Sequence, residues 1–404
     1  MPRARTSLCR VHFSQWKQSI ERRLRSRASR RSAARPVSSG HPRTRADTVL
    51  AAPDGRYTPP MSPSPVRAAP ADVPSRVRRA ATPPDLLALL ARGEEVSGAE
   101  IAAKLGITRA AVWKQIEQLR ARGLAVHAEA GRGYRLDAPI ELLDATRIAA
   151  ALASAERARV GAIDVRWQID STSSELARTA ESLPMPRACL AEIQTAGRGR
   201  RGRRWQTPLA GGLALSFARR FDGGMATLSG LSLVAGIAVL RALADAGIEG
   251  AALKWPNDVV ANGKKLGGIL VELGGDALGP CRAIVGIGLN VRIGAEEGVA
   301  IDQPWTDLAA LGASLPSRNA IAARVLARLA EALDMFAQDG FAAFEREYAE
   351  HDALRGREVV IASGSEPWTG LADGVTSRGA LRIVRDGRAI DVDSGEVSVR
   401  ATAE

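Results

Sequence analysis

The chain has 404 residues, 46% of them apolar, enough for two to three domains with sizeable cores. No apolar run is long enough to cross a membrane, and Cys9, Cys189, Cys281 and four scattered histidines form neither a disulfide framework nor a zinc pattern, so a reducing cytoplasm is expected. The formal charge of +12 is uneven: residues 1–80 carry 17 Arg and one Lys against 4 acids, which leaves the remainder nearly neutral and argues against a general polyanion binder.

Residues 1–80 are rich in Arg, Pro and Ser, hold 10 of the 21 prolines and show few periodic apolar positions, so they read as a disordered basic extension. The prolines argue against the amphipathic helix of a transit peptide. A nucleic-acid-binding tail is the functional alternative. The simplest reading is an extension from a translation start placed upstream, with Met61 one internal candidate.

Residues 82–137 have the pattern of a winged helix-turn-helix. A helix opens at Asp85 and stops at Gly93. Ser97 and Glu100 have capping-box spacing before the Ile101–Leu105 run, and Gly106 supplies the turn. Thr108 caps the next helix, whose apolar face includes Ala111, Val112, Ile116 and Leu119. A hairpin turning at Gly131-Arg132-Gly133 completes the module. With that helix in a major groove, Thr108, Arg109 and Lys114 are the candidate DNA contacts, and Arg132 reaches phosphate or the minor groove from the wing. Arg109 and Lys114 suit phosphate or guanine equally, so no base preference is legible. A protein-contact module is the alternative; the spacing and the wing favour DNA.

Residues 138–352 alternate strand-like runs (164–169, 188–193, 212–217, 252–254, 265–273, 282–291) with helical spacing at 229–244 and 320–336. This predicts an α+β domain with a mixed sheet flanked by helices. From 354 to 404 the pattern changes to short strands (359–361, 368–372, 381–384, 389–392, 397–399) with Gly-containing turns, as in a small β-barrel.

Within the central region, Gln194-Thr195-Ala196-Gly197-Arg198-Gly199-Arg200-Arg201-Gly202-Arg203-Arg204-Trp205 interleaves three glycines with five arginines. Glycine lets backbone approach a ligand, and guanidinium suits phosphate or carboxylate. The loop is not a P-loop, since no Gly-Lys-Ser/Thr ends it. A solvated basic loop explains it equally well when taken alone. Lys254-Trp255-Pro256-Asn257-Asp258 and Lys264-Lys265-Leu266-Gly267-Gly268-Ile269-Leu270-Val271-Glu272 follow in order, with Asp170-Ser171-Thr172 upstream and Gly286-Ile287-Gly288-Leu289-Asn290 downstream. This ordered set closely resembles the catalytic domain of biotin protein ligases. With the winged module and the C-terminal strands, nearly everything after residue 82 resembles the bifunctional biotin ligase and biotin-operon repressor family. The resemblance implies a class II synthetase-like ligase domain and an SH3-like C-terminal barrel.

It also implies a two-step reaction on two substrates, biotin and ATP, with Mg²⁺. The biotin carboxylate attacks the α-phosphate of ATP, giving biotinyl-5′-adenylate and pyrophosphate. A lysine amine of the biotin carboxyl carrier protein of acetyl-CoA carboxylase then attacks the acyl carbon and expels AMP. By resemblance, Ser171, Thr172, Ser173 and Gln194 meet the biotin head. The family commonly has Asn where this chain has Ser173. Arg198, Gly199 and Arg200 belong to the loop that closes over the ligands. Lys265 meets the biotin carboxylate, and Lys265, Arg200 and Asp258 are the expected catalytic residues. Arg203, Lys254, Asn257, Asn290 and Arg400 are the nucleotide residues, with Glu396 coupling the barrel to that side; Trp205 packs beside adenine or belongs to the core. Asp258 takes up Mg²⁺ or approaches the acceptor lysine, and no cluster of protein metal ligands is expected. The expected partners are the carrier protein, operator DNA and, when adenylate is bound, a second copy of the chain. The rivals are a lipoate ligase, a non-catalytic biotin sensor, and a ligase whose winged domain no longer binds DNA.

Overall fold

The computed structural model describes residues 85–129, 131–293, 303–312, 314–362, 367–393 and the backbone of 398–401. The 1–80 extension, Glu396 and the side chain of Arg400 lie outside the described residues.

The N-terminal module consists of α1 (Asp85–Leu90), α2 (Gly98–Leu105), α3 (Arg109–Arg120), and a hairpin of β1 (Val126–Glu129) and β2 (Gly133–Leu136). Both expected caps are present: Ser97 Oγ accepts the Glu100 amide at 3.1 Å, and Thr108 Oγ1 accepts the Ala111 amide at 3.1 Å. The Glu100 carboxylate turns forward to Lys104 at 2.8 Å, so only the forward half of the capping box appears. Leu86, Leu87, Leu90, Val112, Ile116 and Leu119 form the module's core. That core also takes in Trp167 and Leu209 from the central domain, with Ile193 packed against it.

The central domain is built on a seven-stranded mixed sheet. Its strands are β3 (Ala162–Ile169), β4 (Arg187–Gln194), β5 (Gly212–Phe221), β6 (Ala251–Lys254), β7 (Asp258–Ala261), β8 (Lys264–Gly275) and β9 (Cys281–Asn290). Their order is β3-β4-β5-β9-β8-β7-β6, with β3 and β4 parallel and every other pair antiparallel. The expected strands are present, most extending by a residue or more while the 282–291 strand shifts to Cys281–Asn290; β7, which follows Asn257, was not among them. Two short helices, α4 (Ala145–Ala150) and α5 (Ser154–Val160), lead into the sheet. Helix α6 (Thr172–Thr179) packs Leu176 with Cys189, Ala218 and Ile284. The alternate residues Leu190, Phe217 and Val285 pack instead with α7 (Leu231–Asp245) and α8 (Arg318–Asp339). Side chains alternate along strands, so α6 covers one face and the α7–α8 pair the other. Burial pushes the Cys189 thiol up to about 12, and raises Cys281 as well, as expected of inert core thiols.

The segment between the winged module and the sheet is held by a buried ion pair. Arg318 on α8 meets Glu192 on β4 at 3.0 Å, with side chains 7% and 2% exposed. Arg318 also donates to the carbonyls of Gly212 and Glu141, both at 2.8 Å. Glu192 accepts the Leu143 amide, and Asn319 donates to the Leu142 carbonyl at 2.9 Å.

Helix α9 (Glu345–His351) leads to β10 (Glu358–Ala362), β11 (Trp368–Val375), β12 (Leu381–Arg385), β13 (Arg388–Val392) and β14 (Ser398–Ala401). They form an antiparallel sheet ordered β13-β12-β11-β10-β14. All five strands expected for a small barrel are there; among the described residues β13 and β14 are its open edges. Val359, Ile361, Leu381 and Ile383 join the main core.

At the junction after α9, Asp352 Oδ1 accepts the Leu354 amide at 2.9 Å, while Oδ2 is buried without a hydrogen-bond partner. Burial holds this carboxyl above its usual range. The folded state therefore binds the proton more tightly than the unfolded chain does, and stability falls as pH rises through the raised pKa. Asp352→Asn should flatten that fall, read as a loss of the Asp352-dependent change in melting temperature between about pH 4 and pH 7. An unchanged pH profile would remove Asp352 as its source.

Candidate functional site

Strands β4 to β9 and the arginine–glycine loop converge on a cavity of ≈ 770 Å³. Its floor is set by the turn from β3 into α6. Ser171 caps α6, its Oγ accepting the Ser174 amide at 3.4 Å. Gln194, the last residue of β4, accepts from the Thr172 amide at 2.9 Å and from the Thr172 hydroxyl at 3.2 Å. The Thr172 and Ser173 hydroxyls each meet Ser216 Oγ on β5, at 2.8 and 2.9 Å. Ser171, Thr172 and Ser173 are all buried. Asp170, just before them, turns outward to Arg178 at 2.6 Å, and that guanidinium holds its carboxyl down at about 2. Ser171 therefore starts the cavity-facing row, and Asp170 anchors its outer side.

The arginine–glycine loop folds back on itself. Arg198 and Arg204 form a β-bridge, and the Gly199 amide donates to the Arg203 carbonyl at 2.7 Å. Arg201 sits at φ 59, a left-handed conformation that costs a non-glycine residue and recurs at functional loops. Arg198 pairs with Glu272 at 2.6 Å. Arg200 points inward and donates to Asn257 Oδ1 at 3.2 Å. Burial first, then the neighbouring Arg201 and Arg203 charges, lower the Arg200 pKa, though Asp258 opposes them. Arginine stays cationic regardless, so the cavity carries a desolvated, under-compensated positive charge suited to an anion. Arg203 is exposed and lines the same cavity.

Opposite the loop, Lys265 Nζ meets Asp258 Oδ1 at 2.8 Å, with side chains only 15% and 24% exposed. The two face each other because β7 and β8 are a hairpin turning at Asn262-Gly263. Asn257 is fixed by its Nδ2, which donates to the Ile269 carbonyl at 3.0 Å. Lys254 also lines the cavity. The Trp205 indole lies against Gly288, where a Cβ would sit 2.1 Å from the ring, so only glycine admits it there. Its Nε1 donates to Thr207 Oγ1 at 2.9 Å, and Lys265 Nζ stands 6.0 Å from its ring centroid. Asn290 is buried and donates to the Thr306 carbonyl at 2.9 Å, so its amide is turned to protein backbone at the cavity's edge.

The cavity thus brings together every sequence-expected biotin and nucleotide residue whose side chain is described. Sequence reasoning missed Ser216 and the 303–305 segment, whose Trp305 bridges to Lys265. Ser216 had one available signal: on β5, Ala214, Ser216 and Ala218 alternate as small residues with Leu213, Leu215 and Phe217, which leaves room on one face.

The DNA candidates lie elsewhere. Arg109 and Lys114 are exposed on α3, and Arg132 at the wing pairs with Glu129 at 3.0 Å. Thr108 is exposed, but its hydroxyl is used as the helix cap. Sequence reasoning passed over Trp113, which is 58% exposed on α3 beside Lys114, an unusual position for an indole without a partner surface.

Comparison with known proteins agrees with this arrangement. Residues 165–290 match the Biotin/lipoate A/B protein ligase family, residues 85–135 an HTH domain, and residues 355–400 the biotin protein ligase C terminal domain. The bifunctional ligase/repressor BirA of Salmonella typhimurium is 38% identical over 319 residues, 79% of this chain and 98% of that protein. The chain belongs to the bifunctional ligase/repressor family. The Escherichia coli BirA is 37% identical over 319 residues, 79% of this chain and 97% of that protein. Among solved structures, the Aquifex aeolicus biotin protein ligase in complex with biotin and ATP shares 32% identity at a TM-score of 0.51, covering 59% of this chain and 99% of that one. In this chain the winged module and the ligase-like cavity occur together, as the sequence motifs led us to expect.

Proposed function

We propose that the chain is an ATP-dependent biotin–protein ligase that also represses transcription through its winged domain. The observation that carries the reading is the single cavity in which the hydroxyl floor, the arginine loop and the Lys265–Asp258 pair meet. Ser171, Thr172, Ser173, Gln194 and Ser216 offer neutral donors and acceptors for the ureido head of biotin. That directs the biotin carboxylate toward Lys265, whose ammonium offsets negative charge on the carboxylate and on the α-phosphate as the new P–O bond forms and pyrophosphate leaves. Arg200, Arg203 and Lys254 serve the phosphates, with Asn257 and Asn290 framing the nucleoside side. Asp258 is the carboxylate placed to take a proton from the acceptor lysine as its nitrogen attacks the acyl carbon and AMP departs. No covalent enzyme intermediate is needed; the residues act by positioning and charge. The 198–203 loop, seated over the cavity, would keep water from the mixed anhydride.

Mg²⁺ enters this scheme with the nucleotide. Among the described residues there is no group of three His, Cys, Asp or Glu that would hold a metal by itself. Asp258 is the carboxylate lining the cavity, which fits an ion held mainly by ATP phosphates and water. It would neutralise phosphate charge there.

The acceptor is a lysine of a biotin carboxyl carrier domain. For the second role, adenylate held under the loop would favour a dimer that presents two α3 helices to an operator, where Arg109, Lys114 and Arg132 contact DNA. The test has two arms on purified protein. Biotin should drive ATP–pyrophosphate exchange where lipoate does not, and biotin with ATP should raise retention of the gene's own upstream DNA on filters. Exchange with lipoate would reassign the substrate; biotin binding without exchange would leave a sensor; exchange without any gain in DNA retention would remove the repressor role.

A further inference from the structure

The whole Lys254–Asp258 segment lines the cavity, and its second residue also sends its indole N–H to the C-terminal sheet. Trp255 is 1% exposed and is among the largest fully buried side chains of the described residues. Its indole Nε1 donates to the Gly379 carbonyl at 3.0 Å. Gly379 belongs to the turn between β11 and β12, so this bond crosses from the central domain to the C-terminal sheet. A buried indole N–H left unpaired is costly, and the Gly379 carbonyl satisfies it.

The turn is built to deliver that carbonyl. The Thr376 amide donates to the Ala380 carbonyl at 2.8 Å, and the Gly379 amide to the Thr376 carbonyl at 2.7 Å. Thr376 Oγ1 accepts the Ala380 amide at 3.2 Å. Gly379 has φ +74, and a Cβ there would lie 2.8 Å from Gly230 Cα, so a side chain is refused both by conformation and by space. A second tether lies next to it: Ser229 Oγ donates to the Arg378 carbonyl at 2.6 Å. Ser232, in the first turn of α7, donates to the Pro256 carbonyl at 3.0 Å, so the same α7 start that receives the turn also holds the segment.

We infer that the 376–380 turn of the C-terminal sheet positions the nucleotide side of the cavity, with Trp255 as the positioning residue through which it acts. Trp255 is flanked by Lys254 on one side and Pro256, Asn257 and Asp258 on the other. Fixing its ring fixes the backbone from which the phosphate-side groups project. The hydroxyl floor at Ser171–Ser173 and Ser216 is held by α6, β4 and β5 and has no bond to this turn among the described residues. ATP binding should therefore depend on the turn, and biotin binding should not. This rests on the ligase reading for the identity of the two ligands.

The experiment is direct titration of the full chain with α,β-methylene ATP and, separately, with biotin, for wild type, Trp255→Phe and Ser229→Ala. Trp255→Phe keeps an aromatic ring and removes the N–H donor; Ser229→Ala removes only the neighbouring tether. For Trp255→Phe the nucleotide Kd should rise about five- to tenfold, the loss expected from one buried hydrogen bond, with biotin Kd within about twofold of wild type. Ser229→Ala should shift nucleotide Kd in the same direction by about two- to threefold and leave biotin unmoved. Equal weakening of both ligands in Trp255→Phe would mean general loosening of the fold and would overturn the inference. Unchanged nucleotide binding in both variants would also overturn it. Because binding is read without turnover, wild-type protein that binds nucleotide but shows no biotin-dependent exchange would count against the ligase reading alone.

Discussion

Lys265→Met is expected to cut biotin-dependent ATP–pyrophosphate exchange by about 10²–10³-fold, the loss typical when one group aimed at developing negative charge is removed. Met keeps nearly the length of the side chain, so the change is mainly one of charge. The ammonium is largely shielded from water, with Nζ 2.8 Å from Asp258 Oδ1, and in such a site charge acts more strongly than at the surface. Removing it has a second effect: Asp258 is left as a partly buried carboxylate without its cation. The double variant Asp258→Asn with Lys265→Met separates the two effects. It should recover any thermal stability lost in the single variant while exchange stays low. Exchange within about tenfold of wild type in Lys265→Met would show that the adenylation charge is met by Arg200 and Arg203 instead.

Arg318→Met should lower unfolding free energy by about 3–5 kcal/mol, because it leaves Glu192 as an uncompensated charge inside the domain. The pair is nearly sealed, at 7% and 2% exposure, and Arg318 also satisfies the Gly212 and Glu141 carbonyls. The measurement is the urea midpoint of the full chain. Replacing both members, Glu192→Leu with Arg318→Met, should recover most of the loss, since a buried ion pair contributes little over a well-packed apolar pair. A loss below about 1 kcal/mol in the single variant would mean that water reaches Glu192 once the guanidinium is gone. Glu192 lies two residues before Gln194, so looser biotin binding should accompany the lost stability.

The strands of the central sheet were legible because their apolar runs are long and end at glycines or at charge, as in 212–217 and 282–291. The ligand residues were legible because they sit in contiguous motifs whose order is itself informative. Ser216 was not: the small-residue alternation on β5 marks an open face, but only the placement of β5 beside β4 and over the start of α6 brings Ser216 to Thr172. Strand β7 was hidden for another reason: its four residues are too short to show a period, and they follow a motif that reads as loop. Glu192 and Arg318 stand 126 residues apart, and each alone looks like an ordinary charge on a strand or at a helix start. The capping box was half right because Lys104, one turn ahead, competes for the Glu100 carboxylate. Trp113 was not singled out because it lies off the apolar face of Val112, Ile116 and Leu119 that defines the helix in the sequence.

Trp167, Ile193 and Leu209 pack with the winged module rather than with the sheet domain that bears them. A chain shortened to begin after residue 137 would leave those three side chains bare, two of them flanking the arginine loop in the chain. Such a patch invites self-association, so a soluble ligase-only version of this protein would need polar replacements at the three positions as well as the deletion.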